Sequence, residues 1–124
     1  MEGDSSRALA LLLAREAVDL KAEEVRILEV RDLLFITDYF VLATTGSARQ
    51  TRALAEALNQ ALRQAGRPKG TLEGSHRSPW LLMDCGSVVV HILTAEAREF
   101  YGLDEHWADA PEIDLEGNPV RRAG

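Results

Sequence analysis

Tyr39-Phe40-Val41-Leu42-Ala43-Thr44 carries no charged side chain and no alternation of polar with apolar positions. A run of that length and composition reads as a strand covered on both faces, so other elements must lie above and below it. Gly46 breaks the strand, and Ser47-Ala48-Arg49-Gln50 fits a capping box. In that motif the Ser47 hydroxyl takes the Gln50 amide, and the Gln50 side chain returns to the Ser47 amide. The helix that follows places Leu54, Leu58, Ala61, Leu62 and Ala65 on one face and stops at Gly66, with Pro68 beyond.

Other elements fall on either side of this unit. Leu9, Leu12, Leu13, Ala17 and Leu20 recur at three- and four-residue spacing and predict a first helix from about Ser5 to Leu20, with Asp4 or Ser5 as N-cap. Val25 to Val30 alternates with period two and predicts a strand. Pro68 to Pro79 is loop-rich, with Thr71-Leu72-Glu73 as a short strand. Trp80 to Asp84 and Ser87 to Leu93, joined at Cys85-Gly86, predict a β-hairpin, and Thr94 is a natural N-cap for a short helix through Phe100. The order α-β-β-α-(β)-β-β-α implies an α/β (α+β) fold, a mixed sheet with helices packed on it. From Gly102 the chain reads as a tail without regular structure, so residues 1–110 are expected to form the domain and 111–124 an irregular extension.

The chain of 124 residues suits one domain, and 46% apolar with 27% charged residues is ordinary for a soluble globular protein. Cys85 stands alone and forms no internal disulfide. The start, Met1-Glu2-Gly3-Asp4-Ser5, lacks the basic-then-apolar pattern of a signal peptide, and no apolar run reaches the roughly 18 residues of a membrane span. A soluble, cytoplasmic protein with no membrane contact is expected. The net charge of −6 disfavours direct, sequence-specific nucleic-acid binding and favours a basic partner, although it leaves room for a local basic patch.

Several residues invite a chemical reading. Gly46-Ser47 at a helix start could hold a phosphate on backbone amides, as in nucleotidyltransferases. That chemistry also needs metal-binding carboxylates alternating on a following strand, and Ser87 to Leu93 has none. A helix cap accounts for the pair without a ligand. Cys85 has His91 six residues on, but no third residue to orient the imidazole, so a half-buried turn cysteine is the favoured reading. His76, His91 and His106 lack metal-ligand spacing, and no metal or cofactor is assigned.

The strand from Trp80 is more informative. Alternation puts Trp80, Leu82 and Asp84 on one face and Leu81 and Met83 on the other. If Leu81 and Met83 face the helices, an aromatic, an aliphatic and a carboxylate share a surface, the make-up of a protein-binding hot spot. The competing reading makes Trp80 core and Asp84 part of the turn, and the pattern leaves both standing. Glu99 to Glu116 holds seven acidic residues and no Lys or Arg, interleaved with Tyr101, Leu103 and Trp107. Large aromatics solvate poorly, so this segment is expected to pack on its own domain or on a second copy.

The same residues resemble the iojap family of ribosome-silencing factors. The matching pieces are Ile36-Thr37-Asp38, Thr45 through Gln50, Glu73-Gly74, Trp80 through Asp84, Gly86, Val88 through His91, and Phe100-Tyr101-x-Leu103 with Trp107. The resemblance spans about residue 8 to 108. It implies a nucleotidyltransferase-like fold without catalytic carboxylates, no enzymatic activity, and a homodimer when free. It further implies binding to large-subunit ribosomal protein uL-fourteen, blocking subunit joining and repressing translation. Carried over by position, the contact falls on Glu73, Trp80, Leu82, Asp84, Gly86 and Ser87. Where the family is commonly acidic this chain has Ser87, so one charge-assisted contact is expected to be weaker or absent. Beyond about residue 110 the resemblance supplies no counterpart.

Overall fold

A computed structural model describes residues 2–34 and 36–121, with backbone alone for residues 2–4. Chain order runs α1 (Glu2–Asp19), β1 (Glu23–Glu29), β2 (Tyr39–Thr44), α2 (Ala48–Gln64), β3 (Thr71–Glu73), β4 (Trp80–Asp84), β5 (Val88–Leu93), α3 (Ala95–Tyr101), α4 (Leu103–His106), β6 (Glu112–Ile113) and β7 (Pro119–Val120). Among the described residues the strands form one mixed sheet in the order β3-β4-β5-β2-β1-β6-β7. β2 and β5 pair in parallel at its centre, and the other neighbours are antiparallel.

β2 occupies the predicted bounds and is buried at every position. Val41 and Ala43 point into a core that also holds Leu9, Leu13 and Ala17 of α1 and Leu54 and Leu58 of α2. Phe40 and Leu42 point the other way, into a second core with Leu28, Leu93, Ala97 and Leu103. The two-period of a strand thus sends one segment into both layers. Each fully buried leucine contributes about 1.5–3 kcal/mol.

Local details refine the expectations. α1 begins at Glu2, so Asp4 and Ser5 lie inside the helix and not at its cap. The next residue, Ser6, is committed to tertiary structure, its hydroxyl donating to Asp38 Oδ2 at 2.7 Å. At α2 the Ser47 Oγ accepts the Gln50 amide at 3.0 Å. The Gln50 Oε1 accepts from the Gly46 amide at 2.8 Å, one residue earlier than a capping box requires. Its Nε2 meanwhile donates to the Leu20 and Lys21 carbonyls, and this tether to the end of α1 sets the side chain's reach.

The C-terminal segment departs from expectation. α4 follows α3 across Gly102, whose φ of 57° suits glycine. Residues 111–121 are structured: Ile113 pairs with Ile27, and the Pro111 carbonyl accepts the Glu29 amide at 2.7 Å. A turn closed on Asp114, whose Oδ1 accepts the Glu116 and Asn118 amides, returns the chain to β7. Arg15 of α1 donates to the Leu115 carbonyl at 2.6 Å. The irregular tail is therefore corrected to a sheet extension as far as Val120, and residues 122–124 lie outside the described residues. The aromatic part of the acidic segment packs on its own domain, with Trp107 edge-on to Phe40 at 5.1 Å between ring centroids.

Candidate protein-docking interface

The face opposite α1 and α2 is covered unevenly. Over β1 and β2, the helices α3 and α4 close it. Arg98, 5% exposed, crosses from α3 to donate to the Glu24 carbonyl at 2.8 Å, the Thr44 hydroxyl at 3.0 Å and both oxygens of Asp104. Arg26 of β1 donates to Asp104 as well and to Glu112 Oε1 at 2.7 Å. Hydrogen bonds from Arg98, opposed by burial and joined by those from Arg26, bring the Asp104 carboxyl down to about 2. This network fixes α3, α4 and β6 to the sheet.

Over β3 and β4 the same face is open. Register places Glu73 opposite Leu82, and Leu82 opposite His91. Leu81 and Met83 are buried against α1 and α2, so the predicted alternation holds and Trp80, Leu82 and Asp84 point to the uncovered side. Glu73 and Asp84 are exposed, and Trp80 and Leu82 are half-buried. Trp80 and Asp84 stand about 13 Å apart along the strand.

Trp80 fits neither simple reading. Its indole packs against the second core, and Nε1 donates to His91 Nδ1 at 3.2 Å. The other edge of the ring reaches outward to Tyr101, 5.1 Å between centroids, and Tyr101 meets Phe100 at 4.9 Å. Tyr101 is 55% and Phe100 81% exposed, so an aromatic strip continues the open face onto α3. Sequence reasoning placed neither aromatic in the site. Both sit in the resemblance motif, but their neighbourhood with Trp80 is tertiary.

Asp84 is divided too, its Oδ1 accepting the Gly86 amide at 2.8 Å and so shaping the turn. Gly86 has φ 83°, which favours glycine, and an added side chain would meet nothing within 4 Å, so the turn offers bare backbone. The Ser87 carbonyl accepts the Asp38 and Tyr39 amides at 2.9 and 3.1 Å, locking the turn to the start of β2. Glu73, Trp80, Leu82 and Asp84 thus share one face, with Gly86 and Ser87 at its far end.

The catalytic candidates are not assembled. Cys85 packs with Met83 toward the helices whereas His91 points to the other face, so the sheet separates them. Burial, with Asp84 second, pushes the Cys85 thiol up to about 11, and burial holds His91 down at about 4. At Gly46-Ser47 the amide and hydroxyl are already engaged with Gln50. Among the described residues, no group of three or more His, Cys, Asp or Glu side chains could hold a metal ion, and no helix is long and apolar enough to cross a membrane.

Comparison with known proteins gives one consistent result. A family model described as "Ribosomal silencing factor during starvation" matches residues 3–124, including the segment beyond 110 that the motif resemblance left without a counterpart. The chain is 34% identical over 113 residues to a ribosomal silencing factor of Halalkalibacterium halodurans, covering 91% of this chain and 97% of that one. It is 32% identical over 112 residues to the chloroplastic protein Iojap of Arabidopsis thaliana, covering 89% of this chain and 46% of that one. A crystal structure of a protein from Chromobacterium violaceum aligns with a TM-score of 0.75 at 30% identity, covering 82% of this chain and 84% of the other.

Proposed function

Since this chain belongs to the family of ribosomal silencing factors, we propose that it docks on the large ribosomal subunit through the open half of its sheet and represses translation by keeping the subunits apart. The partner is ribosomal protein uL-fourteen. Trp80 and Leu82 supply area that is desolvated on docking, Asp84 and Glu73 pair with Lys or Arg of a basic partner, and Gly86-Ser87 brings backbone against it. The mechanism is occlusion: it has no turnover and uses no cofactor or metal. The free protein is a cytoplasmic homodimer.

The observation that carries this reading is the uneven cover of one sheet face. The half over β1 and β2 is sealed by α3, α4 and an ion-pair network, while the half over β3 and β4 exposes an aromatic–aliphatic strip flanked by carboxylates. Such a strip with a charged rim has the composition of an interface centre.

Co-sedimentation with purified large subunits tests it. Saturable binding is expected, and Trp80→Ala is expected to weaken it by about 2 kcal/mol or more, the hot-spot scale. Circular dichroism and a denaturation curve must show the variant folded, since Trp80 also packs on the second core. Wild-type protein that does not bind at low or moderate salt would sink the proposal.

A further inference from the structure

The chain is acidic overall, yet its cations are segregated. Residues 49–69 hold five of the fourteen Lys and Arg residues but only one of the twenty Asp and Glu. α2 organises them. Its inner side is Thr51, Leu54, Ala55, Leu58, Ala61 and Leu62. Directly opposite, Arg49, Arg52, Glu56, Gln60 and Arg63 follow at spacings of three and four and are all exposed, so they form one outward ridge. Past the helix end, Arg67 and Lys69 border a groove of about 490 Å³ that Arg63 also lines.

Local stability explains only part of this pattern, since Arg63 in the last turn of α2 suits the helix dipole but Arg49 does not. The first turn of α2 holds no acidic residue, and Arg49 stands there, where the helix dipole favours an anion. Arg52 pairs with Glu56 at 3.2 Å, but among the described residues Arg49, Arg63 and Lys69 have no side-chain hydrogen-bond or ion-pair partner. Arg26 and Arg98, by contrast, are both engaged by Asp104. Three exposed cations without a partner among the described residues, with Arg49 kept against the local preference, are the kind of violation expected at a binding surface.

We infer that the α2 ridge contacts the phosphodiester backbone of structured ribosomal RNA, as a second anchor beside the protein contact of the open sheet face. The inference rests on docking to the large subunit, where RNA is the abundant polyanion. Arg49 to Arg63 spans about 21 Å of helix, enough to meet several phosphates. Guanidinium forks match phosphate oxygens in pairs, and such contacts position a protein without reading sequence. The ridge and the open face lie on opposite layers of the sheet, so the docked chain is held between a protein surface and an RNA surface.

The test is a salt titration of co-sedimentation with intact large subunits, comparing wild type, Trp80→Ala, and the triple variant Arg49→Gln, Arg52→Gln, Arg63→Gln. Glutamine keeps helix propensity near that of arginine, and circular dichroism verifies the fold. Loss of two to three phosphate contacts should leave the variant's deficit at 50 mM salt about tenfold to fortyfold larger than at 200 mM. Parallel salt dependences for wild type and triple variant would overturn the ridge contact while leaving sheet-face docking intact. Wild type that fails to bind at any salt overturns docking and the ridge contact together. Binding to phosphatidylserine vesicles that depends on these arginines, with unchanged salt dependence on subunits, would overturn RNA in favour of an anionic membrane.

Discussion

The indole Nε1 of Trp80 donates to Nδ1 of His91 at 3.2 Å, joining an outward-facing aromatic to a histidine only 6% exposed. Because Nδ1 accepts, the imidazole is neutral and its proton resides on Nε2, which is buried with no hydrogen-bond partner among the described residues. Phe40 stands edge-on to the same ring, 4.4 Å between centroids. The anchor of the proposed interface is thus oriented from beneath.

His91→Leu removes that orientation while keeping the site apolar. Large-subunit affinity should fall by about 1 kcal/mol, the net value of one hydrogen bond and less than the loss from Trp80→Ala. The check is co-sedimentation of a folded variant. Unaltered affinity would show that packing alone holds the indole.

Acid should weaken the fold through the same histidine. Burial lowers the folded-state value of His91 to about 4 from its ordinary 6.5, so the unfolded chain binds the proton first. Stability from the neutral ring is complete above pH 6.5 and declines as pH falls toward 4, by roughly 3 kcal/mol in all. Urea denaturation across that range should show the decline in wild type and not in His91→Leu.

Asp104→Asn should cost about 3 kcal/mol, because it leaves the buried Arg98 guanidinium without its counter-charge. Asp104 is depressed in the folded state to about 2, so its contribution is present above its ordinary value near 3.8 and is lost as pH falls through about 2. The stability gap between wild type and variant, measured by chemical denaturation, should therefore close below pH 4.

Gly70→Ala should destabilise by about 1–3 kcal/mol through overpacking. An added Cβ would lie 2.6 Å from Met83 Cγ and 3.2 Å from Cys85 Sγ, and the Gly70 amide is fixed by Asn59 Oδ1 at 2.9 Å. A thermal melt unchanged from wild type would mean that the Met83 side chain gives way.

Elements whose signal is local were legible in the sequence. β2 showed itself by an unbroken apolar run, and the face assignment of Trp80 to Asp84 followed from period two alone. β6 and β7 could not be read, since two residues are too short to display a period. They exist because Ile113 and Glu112 find Ile27 and Arg26, partners 86 residues away for the ion pair. Pro119, a turn signal in sequence, is tolerated because β7 is an edge strand. At the candidate site, strand alternation found Trp80 and Leu82, whereas Tyr101 and His91 join them only through packing across separate elements.

The pairing of β6 with β1 gives this chain a waiting period during its own synthesis. Arg26 emerges 86 residues before Glu112, an interval of about 4 to 17 s at ordinary elongation rates. Throughout it the outer edge of β1 has no strand to pair with. Four of its seven residues, Glu23, Glu24, Arg26 and Glu29, are charged, a composition that discourages stray strand addition. The apolar β2 lies between β1 and β5, so it is the charged β1 edge, and not β2, that waits for the final strands.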